Sequence, residues 1–594
     1  MQVSRLRIKN YRGIKSATLE FSGHTLMVGS NNIGKSTICE ALDLALSADR
    51  TKRFPVIEEF DFYNGQYLDN EDNPVEIKIE ALLVDLTPSV EKLCADHLER
   101  WDKINKRILR SGEIEEVDSE NACWCLRVLT IARYNKEEDE FEATTYYGKS
   151  YDPTNETEHI IRRSVKRKFG FIYLRALRTG SRALSLERGS LLDIILRVQS
   201  LQTGIWEHMR RRLESLDPPI EAGAAKLTPV LQTIEARLAE YMPIASPGKA
   251  TRLHISKLTR EHLRKTLSFF ISISEDQKPV PFTEVGTGTL NTLVLALLSF
   301  MADLKDENVI FAMEEPEIAI APHTQRRIAS YLTSKTTQCF VTSHSPYVIE
   351  SFPPESILIL RRNSDAKVHG HPISLESGVK MKTYKKYVRR GFAEAILGKG
   401  VIVVEGITEQ LVLQSVAQLL ERTDDSKYPI DLSGVTILTS DGEGNVPEFG
   451  CFFSALELPC YAFFDSKKRS DKEKAAFASA GFKTLYEIPY LGMEDLLINE
   501  VPLDTQWEYL DDMRELLAIN KVLIPLNRPS DDALKQHMRQ TLKDGKGEGR
   551  AADLLERCTV SELPQTIMKF LDQIYADFPC PKKVEILPVK ALEE

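Results

Sequence analysis

Several things are scarce in this chain of 594 residues. Its nine cysteines are scattered and include no CxxC pair; the closest two, Cys123 and Cys125, fall in a segment that reads as a strand. An odd, dispersed set of thiols fits a reducing compartment better than a disulfide framework or a zinc site. No stretch approaches ~18 uncharged apolar residues, so no membrane-spanning helix is expected and no membrane partner. The opening residues, MQVSRLRIKNYRGI, lack the apolar centre of a secretion signal, which makes the cytoplasm the expected location. Positive charge is not in excess, since 77 Lys and Arg against 87 Asp and Glu leave a net charge of −10. That excludes a histone-like polycation, but not nucleic-acid binding, which needs only a local basic patch. Internal repeats and low-complexity tracts are also missing. Apolar content is not low. At 42% hydrophobic and 28% charged, the chain is composed as a soluble globular protein, and at ~150 residues per domain it has room for about four folding units.

The pattern along the chain divides it. Residues 3–8 and 16–21 alternate as half-buried strands do, 24–28 is a short apolar strand, and 38–46 has helical period. Segments 75–85 and 123–132 read as further strands of that unit. Leu and Ile recur at i, i+3, i+4 spacing over 191–213 and 227–241, which predicts a helical arm. Strand signals return at 267–274. Apolar strands at 309–313, 338–342 and 357–360 then alternate with helices, as βαβ units require. A second α/β unit has strands at 400–404, 435–438, 461–464 and 484–488, with a helix at 408–420. From about 505 the chain reads as polar helices. The expected organisation is an α/β part over 1–175, a helical insertion over 176–265, a return to α/β over 266–390, and a second α/β domain with a helical tail over 391–594.

Residues 29–37, GSNNIGKST, carry the first chemistry. The spacing GxxxxGK[ST] between a strand and a helix is that of a phosphate-binding loop. Gly29, Asn32 and Gly34 let backbone N–H groups close around phosphate oxygens, and the helix N-terminus beginning with Ser36 and Thr37 adds its dipole. Lys35 can reach the β- and γ-phosphates, and Ser36 offers a hydroxyl to Mg²⁺. Further on, VIFAMEEPE is a buried strand ending in adjacent carboxylates. Glu314 is assigned to the Mg²⁺ ion, though Asp is commoner at that place, and Glu315 to general-base work on the attacking water. Gly286 and Gly288 (VGTGT) open an apolar helix 29 residues before Glu315, and can grip the γ-phosphate bound to a partner subunit. His344 (TSHSP) ends a strand 29 residues after Glu315 and can sense that phosphate.

A second constellation follows residue 400. VIVVEGITE is an apolar strand whose glycine permits a sharp turn into a helix. It places Glu405 at the carboxyl end of the strand, where open α/β sheets bind ligands, and Glu409 one helical turn above. CYAFFD is another buried strand ending in Asp465, and GMED offers Glu494 and Asp495. Acids that converge on one sheet edge repel each other unless cations sit among them, and hard oxygens suit Mg²⁺ or Mn²⁺. Asp441 is a further acid after a strand, equally explained as a turn residue. Four basic clusters are candidates for DNA contact: 162–168, 210–212, 382–390 and 467–474, the last beside Asp465.

The order of P-loop, helical insertion, Gly-Thr helix start, carboxylate strand and strand-end His resembles the ABC-type ATPases, in particular their SMC/RecF-like branch. The resemblance implies a head, split by a helical dimerisation insertion, that pairs with a second head and sandwiches two ATP molecules. In that scheme 317–322 is the loop contacting the partner head, and Gln66 is a candidate for the Gln that senses the nucleotide. The second constellation resembles the TOPRIM domain, in which a strand-end Glu is followed two strands later by Asp-x-Asp. Glu405 and Asp465 match; position 467 is Lys, which puts a topoisomerase or primase activity in doubt.

A P-loop head followed by a TOPRIM domain resembles the OLD (overcoming lysogenization defect) family of nucleases, which includes the nuclease of the Gabija anti-phage system. IKNYRGI, EEPE, TSHSP and VIVVEG carry that likeness. It implies a DNA endonuclease using two-metal catalysis with Mg²⁺ or Mn²⁺, Ca²⁺ being an inert substitute, ATP with Mg²⁺ in the head, and a homodimer or larger assembly. It also implies a lysine after the acidic cluster, for which Lys546 is the candidate and Lys543 nearly equivalent. Some family members act beside a UvrD-like helicase. The alternative is a RecF-like DNA-binding ATPase whose TOPRIM domain is a non-catalytic scaffold, a reading the Lys at 467 favours.

Overall fold

A computed structural model describes residues 1–48, 55–109, 121–155, 157–174, 190–198, 202–214, 224–240, 268–272, 278–286, 309–318, 322–363, 365–374, 393–424, 426–515 and 524–579, with isolated residues between them. Apolar alternation along the strands decides the layering, because successive side chains leave a strand on opposite faces. In the strand Thr25–Val28, Leu26 and Val28 enter one core while Met27 enters another. In Gly400–Val404, Val401 and Val403 join the same core as Leu26, while Ile402 and Val404 face a third. The layers therefore run core, large sheet, shared core, small sheet, core. The shared middle layer also contains Phe311, Ile359, Phe449 and Phe464, so one apolar cluster belongs to both sheets.

The large sheet has 13 strands among the described residues. From one edge the order is Arg107–Leu109, Glu99–Asp102, Ala122–Asn135, Ile77–Val84, Gln2–Tyr11, Ile14–Glu20, Lys367–Pro372, Ile357–Arg362, Thr25–Val28, Gln338–Thr342, Ile310–Glu314 and Phe171–Leu174; Glu140–Tyr147 pairs beside Ala122–Asn135. The last five strands of that order are parallel, and the first part is an antiparallel extension. The small sheet is parallel throughout, in the order Val435–Thr439, Gly400–Val404, Cys460–Phe464, Thr484–Glu487. An ATPase-type α/β head with an SMC/RecF-like split and a C-terminal TOPRIM α/β domain is the fold expected from the motifs. Within 176–265 lie the helices Leu191–Val198, Gln202–Glu214 and Ala224–Ala239.

Some elements differ from expectation. The expected helical segment 191–213 contains the helices Leu191–Val198 and Gln202–Glu214; residues 199–201 lie outside the described residues. The strand expected at 267–274 shrinks to Phe270–Ile271 paired with Val280–Pro281, where Pro281 has no N–H to extend the ladder. The P-loop helix begins at Lys35, inside the motif. Residues 382–390 and Gly288 lie outside the described residues. The eight described cysteines are free thiols, and no described helix is long and apolar enough to cross a membrane.

One strand touches both halves of the molecule. Adjacent residues of Ile357–Arg362 point to opposite faces, as its geometry demands. Arg362 donates to the carbonyls of Gly13 (2.8 Å) and Asn32 (3.0 Å), while Arg361 reaches the Gly398 carbonyl (3.4 Å) at the foot of the small sheet.

Candidate functional sites

Parallel pairing brings the head's motifs to one edge. The strand carrying the P-loop pairs with Gln338–Thr342, and that strand pairs with Ile310–Glu314, with Glu314 opposite Thr342. The loop 29–34, Glu314–Glu315 and Ser343–His344 thus leave three neighbouring strands at their carboxyl ends. Gly29 (φ 152°) and Gly34 (φ 109°) take backbone conformations that favour glycine, and a Cβ on Gly29 would stand 2.9 Å from the Leu360 carbonyl oxygen. Asn32 also has positive φ and is exposed. The Lys35–Leu46 helix has no capping side chain and no acid in its first turn, which leaves its first N–H groups available to an anion. Ser36 is exposed and Thr37 half-buried at that end. The Lys35 ammonium is buried, donates to the carbonyls of Gly29 (2.8 Å) and Ser30 (3.0 Å), and is pushed down to about 8 by burial.

Glu314 is buried and accepts from the Tyr173 hydroxyl on the adjacent edge strand. Glu315 adopts φ 42°, uncommon for a non-glycine residue, with its N–H bonded to the Thr342 carbonyl at 2.9 Å. Glu317 lies in the same turn. Its Oε1 accepts from the Ser343 hydroxyl (2.9 Å) and the His344 N–H (2.7 Å), fixing the strand end that carries His344. Burial raises the Glu317 carboxyl and lowers the His344 imidazole, the latter helped by the nearby Lys35. Tyr173 was not expected as a site residue, and Glu317 only as the first residue of the loop toward a partner head. The third acid of EEPE was a usable signal for Glu317; nothing local marks Tyr173. Gly286 is exposed after the turn Phe282–Glu284, and no contact joins it to the P-loop among the described residues. Gln66 is exposed beyond a cleft of about 780 Å³ lined by Arg12, Gly13, Asp61 and Asn64.

The small sheet gathers the second set. Glu405 follows the central strand, Asp465 the next, and Glu409 rises in the first turn of Ile407–Thr423. Glu494 begins the helix Met493–Glu500, and its Oε2 and Asp465 Oδ2 both flank Gly492, 3.0 and 3.6 Å from where a Cβ would stand. The Asp465 N–H donates to Glu405 Oε1 (3.2 Å) and its carbonyl accepts from Arg469 (2.6 Å). That fixes the backbone, while Oδ1 is buried with no hydrogen-bond partner among the described residues. Burial first, then Glu405 and Glu409, push Asp465 up to about 7; burial and Glu405 raise Glu409. Lys546 lies 3.4 Å from Glu494 Oε1 with its amine in solvent, whereas Lys543 is exposed in the last turn of the preceding helix. Asp495 is not brought into this cluster: it pairs with Arg539 at 2.8 Å. Asp441 is exposed in its turn at positive φ.

Lys467 enters the cluster. Its ammonium meets Glu405 Oε2 at 2.8 Å and Glu443 Oε2 at 3.3 Å, and Arg469 pairs with Glu443 and Glu487. Glu443, two residues past Asp441, is a further member that spacing did not single out. The basic clusters are accordingly less free than their sequence suggests. In 162–168, Lys166 is buried against the Leu44 carbonyl (3.2 Å) and Arg163 reaches the Ala48 carbonyl (2.8 Å), both at the C-terminus of the P-loop helix. Lys468, Lys472 and Lys474 are exposed, as are Arg211 and Arg212.

Carboxylates from separate segments on the edge of a parallel sheet, behind a P-loop head, make a combination that comparison with known proteins can decide. Residues 1–349 match the AAA ATPase domain family, and residues 396–466 match the overcoming lysogenization defect protein-like TOPRIM domain. The chain belongs to the AAA ATPase domain family and carries an OLD-like TOPRIM domain. The Old nuclease of Escherichia phage P2 is 19% identical over 493 residues, covering 77% of this chain and 76% of that protein. Endonuclease GajA of Bacillus cereus is 20% identical over 518 residues, covering 85% and 81%. A solved Smc head domain of Pyrococcus furiosus, with an extended coiled coil and bound to a ScpA domain, covers 65% of this chain and 98% of its own at 14% identity, with a TM-score of 0.34. The likeness to OLD proteins rests on the TOPRIM match and on these two relatives.

The candidate donors at the TOPRIM edge are carboxylate oxygens, one of them buried and without a hydrogen-bond partner among the described residues, which is the donor chemistry a hard divalent ion takes. Among the described residues no three acidic, His or Cys side chains stand in ligand geometry.

Proposed function

We propose that this chain is a DNA endonuclease that uses a divalent metal ion at the TOPRIM edge and is regulated by ATP in the head. The observation that carries the reading is the convergence of Glu405, Glu409, Asp465 and Glu494 at one end of a parallel sheet, with Lys546 on the rim. So close a set of acids is costly without a cation. Mg²⁺ or Mn²⁺ held there would activate water and steady the leaving oxygen of a phosphodiester. Asp465 and Glu409 hold protons longer than ordinary carboxylates, so both must lose them before they can serve as ligands. Lys546 stands where it can meet charge developing on the phosphate, and exposed Lys468, Lys472 and Lys474 flank the approach to Asp465 for a DNA backbone. The names of the two relatives, a nuclease and an endonuclease, point the same way.

In the head, the P-loop backbone and Lys35 would hold ATP phosphates, and Ser36 with Glu314 the accompanying Mg²⁺. Glu315 would orient water, and Glu317 would keep His344 facing the terminal phosphate. Pairing of two heads would bring Gly286 and Gly288 of one chain to the P-loop of another, which makes a homodimer or larger assembly part of the reading. A role in anti-phage defence or DNA repair goes with it. The UvrD-like helicase is not carried forward, because neither the chain nor its relatives' names point to one.

One observation favours the scaffold alternative: Lys467 already occupies Glu405. Purified protein incubated with supercoiled plasmid and Mg²⁺ or Mn²⁺ separates the two. Nicking or linearisation that disappears in Glu405→Ala supports the nuclease, and Lys35→Ala with and without ATP reports what the head contributes. No cleavage by the unaltered protein with any metal, nucleotide or DNA form leaves the DNA-binding ATPase.

A further inference from the structure

Lys546 reaches the rim of the small sheet from a segment whose own composition gives it little stiffness. Residues 545–549, GKGEG, join the helix Asp531–Asp544 to the short helix Arg550–Leu555, and three of the five are glycine. Gly547 and Gly549 both take φ 87°, a conformation that favours glycine. The loop's backbone bonds are local: the Lys546 N–H meets the Lys543 carbonyl (3.3 Å) and the Glu548 N–H the Gly545 carbonyl (2.9 Å). One side rests on the first turn of Ile407–Thr423, where Ile407 Cγ2 lies 3.9 Å from the place of a Gly547 Cβ.

A charged side chain runs through this loop. Arg550 is 5% exposed. Its Nη1 donates to the Thr541 carbonyl (3.1 Å) in the last turn of the preceding helix, and its Nη2 donates to Glu548 Oε2 (2.8 Å). The first partner lies at the negative end of a helix dipole and the second is a carboxylate, so both suit a cation. They also lie on either side of Lys546 in the chain. The stem of Arg550 packs so closely on Gly545 that a Cβ there would collide with it. An apolar side chain could fill that space at a lower desolvation cost. What the rigid fork adds is two directed bonds across the loop.

We infer that Arg550 is a positioning residue that holds Lys546 against Glu494. The Lys546 ammonium stands 3.4 Å from Glu494 Oε1, whereas the hydrogen bonds of Arg550 go to Thr541 and Glu548, so Arg550 acts through the loop. Lys543 lies inside the preceding helix and does not depend on this brace. The consequence for cleavage rests on the nuclease reading; the brace itself does not.

Hydrogen exchange and plasmid cleavage by the full-length chain test the two parts separately. Arg550→Gln keeps a polar side chain but loses the fork, and thermal melting checks that it folds. The amides of 545–549 should exchange about 10-fold faster or more in this variant. Arg557→Gln, which removes a surface pair with Asp512, should leave them unchanged. In cleavage, Arg550→Gln should lower kcat about 10- to 100-fold with KM for DNA kept within about twofold. On a Lys546→Ala background it should cost less than about twofold more, and on a Lys543→Ala background its full effect should persist. If Arg550→Gln does not fold, Glu548→Gln, which loosens one end of the fork, should give the same pattern at smaller size. Unchanged exchange at 545–549 in the folded variants, or a full further loss on the Lys546→Ala background, overturns the inference. An unaltered protein that cuts no DNA, with exchange faster in Arg550→Gln, refutes the nuclease reading and leaves the brace standing.

Discussion

The two sites use the same edge of the same kind of sheet and solve opposite charge problems. At the P-loop the protein supplies positive potential in advance: an uncapped helix start, glycine-permitted N–H groups and a buried ammonium resting on the loop's own carbonyls. Its ligand brings the negative charge. At the TOPRIM edge the protein supplies negative charge, from segments up to 89 residues apart between Glu405 and Glu494, and its ligand brings the positive charge. On the proposed reading, one site is arranged to suit an anion and the other a cation. Lys35 is pushed down and Asp465 up by the same burial, because desolvation disfavours whichever charge a group carries.

The sharpest way to break the comparison is to remove one charge from one site. Asp465→Asn keeps shape and removes a ligand, so DNA cleavage should fall more than about 100-fold, while ATP affinity stays within twofold. A parallel loss of ATP binding, measured with a fluorescent nucleotide, would show that the sites are not separable. The reciprocal change, Lys35→Ala, removes a charge-assisted contact of roughly 1.5–3 kcal/mol, so ATP affinity should drop roughly 10- to 100-fold, with Mn²⁺ binding to the nucleotide-free protein unaltered.

Backbone tolerance should also differ. Gly29→Ala forces a Cβ against the Leu360 carbonyl at φ 152° and should cost about 1–3 kcal/mol of stability, seen as a lowered Tm. Gly492→Ala has extended backbone, and its Cβ would meet only carboxylate oxygens that can turn aside. Its cost should stay below about 0.5 kcal/mol. The smallest effect concerns pH. Asp465 sits near 7 when folded and near 3.8 unfolded, so the folded chain binds more protons between those values. Its contribution to stability is full at about pH 4 and is lost as pH rises through 7. The Tm of the metal-free protein relative to Asp465→Asn should therefore fall across that range. Lys35, lowered to about 8 from 10.5, slopes the other way: its contribution recovers as pH climbs from 8 to 10.5. Equal slopes in both variants would show that burial does not govern these groups.

What the sequence revealed follows from the range of the interactions. The P-loop was readable because its parts lie within nine residues and its conformation is set by Gly29 and Gly34. The strands bearing Glu314, Glu405 and Asp465 were readable because fully buried parallel strands are short apolar runs ending in charge. Missed strands such as Phe171–Leu174 and Arg107–Leu109 are only four and three residues long and lie at the ends of the strand order, too short for a periodic pattern to show. Tyr173 reaches Glu314 only because its strand pairs at the end of the large sheet, a contact 141 residues away in sequence. Lys467 was seen as a missing aspartate; that it fills the gap with its own charge required the positions of Glu405 and Glu443. Asp495, next to Glu494, looked equivalent until the helix turned it toward Arg539.

The apolar layer between the two sheets restricts how such a protein can be rebuilt. Val401, Val403, Phe449 and Phe464 share their core with Leu26, Phe311 and Ile359. A cut near residue 395 would give each half a bare hydrophobic face, and a TOPRIM domain borrowed from a distant relative would have to fit the underside of this particular head. Head and nuclease candidate are thus not interchangeable cassettes. They must change together, so a lineage can alter its DNA chemistry at the rim of the sheet, where Lys467 stands, far more cheaply than it can exchange the domain that carries it.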